Sequence, residues 1–244
     1  MQIREIVIYG KKGQIRRLPL NLGKLNIVTG KSMSGKTAVG AIIDFCLGDK
    51  DCNIAIGRVR ECSSWFALLL QFSNEQIFIA RQNPSPNQQS TNQCYIEFGK
   101  DIDVLQIDVS KPNTNAEGVV DIISRKLGIS ENLHLPEEGQ TRQPLEANLR
   151  HALFYCFQNQ NEIASHKILF HKQDEEYVTR AIKDTLPYFL GIIDEKALSL
   201  ENERSDLRRQ LARENRRLKE LSMLRGGGLD RAIVLLCYCQ KQER

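Results

Sequence analysis

Residues Gly30 to Thr37 read GKSMSGKT, and no other stretch of the chain restricts the possible folds so far. The octapeptide fits G-x-x-x-x-G-K-[ST] at every fixed position. It lies between an apolar segment, KLNIVT, and the run AVGAIIDFCL. A strand, a glycine-rich turn and a helix in that order are the setting that a phosphate-cradling P-loop needs. Gly30 and Gly35 allow a tight turn whose N–H groups, with those of Lys31, Ser32 and Ser34, face inward, and the helix N-terminus adds positive potential there. Lys36 is then placed to bridge the β- and γ-phosphates of a nucleotide, and Thr37 to hold Mg²⁺ through its hydroxyl. The competing reading is a strand-to-helix turn that binds nothing. No NKxD or DxxG occurs anywhere in the chain, which argues against a GTPase.

Composition excludes several classes. With 244 residues, 41% hydrophobic and 26% charged, the chain has the make-up of one large globular domain or two small ones. A net charge of +4, from 34 basic and 30 acidic residues, does not by itself argue for nucleic acid. The longest apolar runs, Trp65–Leu70 and Ala232–Cys239, fall short of the roughly 18 residues needed to span a bilayer, so no membrane partner is expected. The amino terminus, MQIREIVIYGKKGQIRRL, never forms a signal-peptide apolar block, and a cytoplasmic location follows. The seven cysteines contain no CxxC pair and no zinc-spaced quartet, as buried reduced thiols would.

Along the chain, residues 3–9 and 14–20 read as a hairpin around a Gly10–Gly13 turn, with a third strand over Leu25–Thr29 and a buried helix after the P-loop. Between Ser63 and Phe98 three strand-like runs follow, the last two separated by the polar loop 82–93. Residues 115–127 place Ala116, Val119, Val120, Ile123 and Leu127 on one helical face. A loop at 136–144 leads into LEANLRHALFYCFQNQNEIAS. From Ile193 the chain changes character. Alternating steps of four and three give Ile193, Ala197, Leu200, Arg204, Leu207, Leu211, Glu214, Leu218 and Leu221, seven of the nine apolar, with charged residues between. That pattern predicts a coiled-coil strand, the competing reading being a single amphipathic surface helix. Gly226–Gly228 is expected to end it.

These residues carry a resemblance. IREIVIYGKKGQIRRLPLNLGKLNIVTGKSMSGKTAVGAIIDFCLG resembles the opening of the SMC and RecN-like ATPases, and HALFYCFQNQNEIAS resembles their Q-loop, in which a glutamine ends a strand. More narrowly, SSWFALLLQF, EQIFIARQNP and LPYFLGIID resemble a bacterial group of uncharacterised SMC-like proteins, some found in Lamassu-type anti-phage systems. The resemblance implies an α/β fold: an ABC-type P-loop NTPase head, a mixed sheet with an antiparallel β subdomain, followed by the first arm of a coiled coil. The N-terminal lobe would span 1–190, the coiled-coil helix 191–225, and a glycine turn with a C-terminal segment 226–244. It also implies that Gln160, with Gln158 as the alternative, contacts Mg²⁺ and the attacking water.

An ABC-type head further needs a Walker B strand and an LSGG-type signature. FLGIIDE and LRGGGLDRAIVLL imitate them, but Asp194 and Glu195 read as first-turn helix acids, and Arg225 replaces the signature serine. The chain therefore reads as the amino-terminal half of a head. Its expected partners are ATP, the C-terminal half or a second head, and double-stranded DNA, in DNA maintenance, repair or anti-phage defence. The intact head would be an ATPase. The alternative is a nucleotide-binding coiled-coil module without turnover of its own. Arg58 and Arg60 read as surface charges. The seven basic residues Arg204, Arg208, Arg209, Arg213, Arg216, Arg217 and Lys219 read equally as a DNA floor or as a solvated helix face.

Overall fold

The computed structural model describes residues 1–31, 35–129, 132–135 and 143–242, with side chains described as far as Met223. Its centre is a five-stranded antiparallel sheet of β1 (Gln2–Gly10), β2 (Ile15–Pro19), β3 (Ser63–Gln71), β4 (Gln76–Gln82) and β5 (Cys94–Gly99), in the order β2-β1-β3-β4-β5. The middle strand, SSWFALLLQ, is apolar along most of its length because both of its faces are covered. Phe66, Leu68 and Leu70 join one core cluster, against helices; Trp65, Ala67 and Leu69 join a second, against Val104 and Val109. Side chains alternate in the same way on β4, so Arg81 falls on the helix-facing side with Ile77 and Ile79.

The helices are α1 (Lys36–Cys46), α2 (Arg58–Cys62), α3 (Ala116–Lys126), α4 (Leu149–Cys156), α5 (Gln160–Ile163), α6 (Glu176–Phe189) and α7 (Glu195–Gln242). A two-residue ladder, β6 (Leu133–His134) with β7 (Leu145–Glu146), flanks the loop at 136–144, most of which lies outside the described residues. The fold is thus mixed α/β, with the hairpin, the strands after Ser63 and the helix at 115–127 where the sequence places them. No helix among the described residues is long and apolar enough to cross a membrane.

Three expectations are corrected. Leu25–Thr29 is not a strand: it lies outside every ladder, with Leu25 86% and Ile27 75% exposed. Apolar β-formers make a strand only where a neighbour accepts their hydrogen bonds, and β1 has both edges taken by β2 and β3. Gly226–Gly228 does not end the last helix, which runs on to Gln242. Glycine in a helix costs about 1 kcal/mol relative to alanine but does not forbid it, and the flanking residues are good helix formers. Finally, α1 is buried only from Ile42 onward; its first turns, at the P-loop, are exposed or half-buried.

One outer edge of the sheet is closed by a side chain. Ile96 N–H donates to Asn113 Oδ1 at 2.9 Å, and Asn113 Nδ2 donates to the Ile96 carbonyl at 2.8 Å. The far end of α1 is held by Arg81, which is 1% exposed. Its Nη1 donates to the Phe45 and Asp49 carbonyls at 2.7 and 2.6 Å, its Nε to the Thr91 carbonyl at 3.0 Å, and its Nη2 to Ser90 Oγ at 3.1 Å. The guanidinium also lies 4.0 Å above the Phe45 ring. Beyond that end Gly48 takes φ 93° and packs against Val120 of α3.

The start of α4 makes stability depend on pH. His151 Nδ1 accepts from the Asn148 backbone N–H at 3.1 Å, half of a capping box. Burial, with Arg150 and His134 nearby, lowers its pKa to about 4. A histidine whose native pKa lies below its unfolded value binds protons preferentially when unfolded. Stability is therefore complete above about pH 6.5 and falls as pH drops toward 4, by about 2 to 3 kcal/mol. Urea unfolding at pH 7.5 and 4.5 should show this loss. His151→Gln, which preserves the capping box with a group that does not titrate, should remove most of it; an unchanged pH dependence in that variant would refute the assignment to His151.

Candidate phosphate-binding site

Gly35 stands at the N-cap of α1 with φ 86°, a left-handed conformation that glycine adopts without strain. No side chain caps this helix, and its first turn contains no acid. Ala38 N–H bonds back to the Gly35 carbonyl at 3.0 Å, but no described bond takes the Lys36 and Thr37 amides ahead of it, and the helix dipole favours an anion. Lys36 folds back over the loop: its Nζ donates to the Gly30 carbonyl at 2.9 Å and to the Lys31 carbonyl at 2.7 Å. The ammonium therefore lies against the two carbonyls at the start of the loop. Thr37 is exposed on the first turn, where its hydroxyl is open to a cation. Ser32 and Ser34 lie outside the described residues. Beside the loop a cleft of about 350 Å³ opens, lined by Ile8, Arg16, Leu18, Val28 and Val39, with room for the nucleoside part of a nucleotide.

These residues fit a magnesium nucleotide: they offer uncapped amides, a mobile-length cationic side chain and a hydroxyl, which is the donor set that phosphates and their counter-ion require. Among the described residues no group of three or more His, Cys, Asp or Glu is arranged to hold a metal by itself. A cation at Thr37 would accordingly take most of its oxygens from phosphate and water.

Gln160 is the first residue of α5 and is exposed. It follows a helix rather than a strand: α4 runs to Cys156, and three residues later Asn159 starts the new helix, its Oδ1 accepting from the N–H groups of Asn161 and Glu162 at 2.9 and 3.0 Å. Glu162 returns the bond by accepting from Asn159 N–H at 2.7 Å. A strong capping box explains why the chain starts a helix here. Gln158 Nε2 donates to the Leu169 carbonyl at 2.8 Å, so its side chain is engaged and that of Gln160 is the better placed of the two for a ligand. No described hydrogen bond joins Gln160 to Lys36 or its loop.

Asp194 and Glu195 are helix acids, as read from the sequence: Asp194 Oδ1 accepts from Ala197 N–H at 2.7 Å at the start of α7. Arg58 is exposed, and Arg60 Nη2 donates to the Gln88 carbonyl at 2.9 Å, anchoring the loop after β4. The side chain of Arg225 lies outside the described residues. A group that sequence reasoning passed over is the charged cluster of Asp44, Asp49, Arg150 and Lys172 at the far end of α1. Its signal was Asp44, a carboxylate inside the otherwise apolar AVGAIIDFCL. No protein-family model matches the chain, and no curated protein does.

Proposed function

We propose that this chain is the ATP-binding half of an SMC/RecN-like ATPase head, working through ATP-dependent closure with a second lobe or head. The observation that carries the reading is the uncapped, left-handed start of α1 with Lys36 folded over the P-loop carbonyls. Two features support a missing second lobe and a coiled-coil partner. The extended segment before the P-loop exposes Leu25 and Ile27, apolar residues that a neighbouring strand would cover. On α7, Leu200, Leu207, Leu211, Leu218 and Leu221 are all more than half exposed, and leucines at heptad spacing bury themselves against another helix.

In this reading Lys36 neutralises the β- and γ-phosphates, Thr37 holds Mg²⁺, and Gln160 contacts the ion and the attacking water. Turnover depends on groups contributed by the partner, since positioning is most of phosphoryl-transfer catalysis. Duplex DNA is the proposed cargo, through phosphate contacts by the basic residues of α7. Two of these, Arg204 and Arg209, already face acids at i−3, Glu201 and Asp206.

Calorimetry with Mg·ATP tests the reading. Lys36→Ala removes a charge-assisted contact worth about 1.5 to 3 kcal/mol, so binding should weaken at least about tenfold. Equal affinity of wild type and variant, or no binding by the wild type, would refute it.

A further inference from the structure

We infer that Lys172 is a positioning residue that ties the Gln160 turn to the P-loop helix; the inference rests on the nucleotide-binding reading above. Asp44 and Asp49, both 8% exposed, lie at the end of α1 remote from the phosphate loop. Arg150 of α4 bonds both, Nη1 to Asp44 Oδ1 at 2.5 Å and Nη2 to Asp49 Oδ1 at 3.1 Å. Lys172 Nζ bonds both from the other side, Asp49 Oδ2 at 3.0 Å and Asp44 Oδ2 at 3.3 Å. Two cations therefore balance two carboxylates that burial would otherwise penalise. Although burial opposes it, a hydrogen bond with Asp44 and then the charges of Arg150 and Lys172 lower the Asp49 pKa to about 2.

The backbone of Lys172 reaches the other way. Its N–H donates to Glu162 Oε1 at 2.8 Å. Glu162, 5% exposed, also takes His171 Nδ1 at 2.9 Å and caps α5 through Asn159 N–H, so three groups fix its carboxylate. One residue thus joins two segments: its amide holds the carboxylate that organises the turn beginning at Gln160, and its ammonium holds the helix beginning at Lys36. It does so at φ 56°, the one non-glycine residue with positive φ among those described. Such a conformation is strained for a lysine and persists where surrounding contacts impose it. An ion pair serving stability alone is open to any residue in an ordinary conformation; here the left-handed backbone turns the amide toward Glu162 while the side chain leaves toward α1. The α1 helix is about 16 Å long at 1.5 Å per residue, and a rigid rod of that length carries a displacement at the phosphates to the acids at its other end.

The test measures ATP affinity by calorimetry with Mg²⁺ and with EDTA, for wild type, Lys172→Asn, Lys172→Arg, Gln160→Ala and the Lys172→Asn/Gln160→Ala double variant, alongside thermal unfolding of each. Asparagine tolerates the left-handed backbone, so Lys172→Asn isolates the loss of the ammonium. The affinity gained from Mg²⁺ should fall about fivefold in Lys172→Asn and in Gln160→Ala, the value of one lost hydrogen bond, and no further in the double variant. Lys172→Arg should restore most of it. A Lys172→Asn protein with a lower melting temperature but the wild-type magnesium gain would overturn the proposal, as would additive losses in the double variant. Wild type that binds no ATP in either buffer would overturn the nucleotide reading itself, and the proposal with it.

Discussion

Replacing Arg81 by Met should destabilise the protein by about 3 to 5 kcal/mol, since the side chain satisfies several buried acceptors at once. Methionine fills much the same volume and removes the cost of burying a cation. Against that, the carbonyls of Phe45, Asp49 and Thr91 each lose the guanidinium as a donor. Phe45 lies in the last turn of α1, where its carbonyl otherwise has the Gly48 N–H at 3.2 Å, and Asp49 lies just beyond that helix. The Phe45 and Asp49 contacts are buried, and a buried acceptor that loses a donor costs about 1 to 3 kcal/mol, whereas the part-buried Thr91 carbonyl costs less. Lysine has one nitrogen where arginine has three, and Arg81→Lys should recover less than half the loss. The urea midpoint should fall with no change in slope; an unfolding free energy within about 1 kcal/mol of wild type would show that the arginine is tolerated there rather than required.

Gly48→Ala should cost about 3 kcal/mol or more, from two separable sources. At φ 93° an alanine is strained wherever it has space, and here it has none: a Cβ would press into the Val120 Cγ2 methyl and touch the Ala116 carbonyl at 3.4 Å. Relief requires α3 to move off the end of α1, which would loosen Ile123 and Val119 in the main core. Combining Gly48→Ala with Val120→Ala should recover the steric part and leave the conformational part, so the double variant should be more stable than the sum of the two single losses predicts. Strict additivity would show that the two residues do not meet.

What could be read from the sequence was local. The GKSMSGKT pattern lies in eight adjacent residues, and Gly35 takes the positive φ that a tight turn before a helix asks of a glycine. The hairpin has its glycines, the 115–127 helix its apolar stripe and Asn115 cap, and β3 its apolar length. Leu25–Thr29 failed because strand formation depends on a neighbour that no local pattern reveals. Gly226–Gly228 failed because three modest costs in propensity do not outweigh a long helix already under way. The clamp on α1 was beyond local reading for another reason: Lys172 and Asp44 are 128 residues apart. Alternation along EQIFIARQ places Arg81 on the helix-facing side of the sheet, yet names none of the carbonyls it serves.

Asn113 bears on how copies of the chain meet one another. A strand at the margin of a sheet is a template for copies of itself, and open margins are where proteins begin to form fibres. Here the template is spoiled at β5, because one amide side chain has used both hydrogen-bonding groups of Ile96, and an incoming strand must first displace it. The opposite margin, β2, carries two arginines and ends in Pro19, which has no N–H to offer. Stacking copies edge to edge is thus discouraged on both sides, while the apolar segment at Leu25 and Ile27 stays exposed. The molecule is guarded against its own kind at its sheet margins, and its exposed apolar surface is concentrated instead in the irregular segment that leads to Gly30.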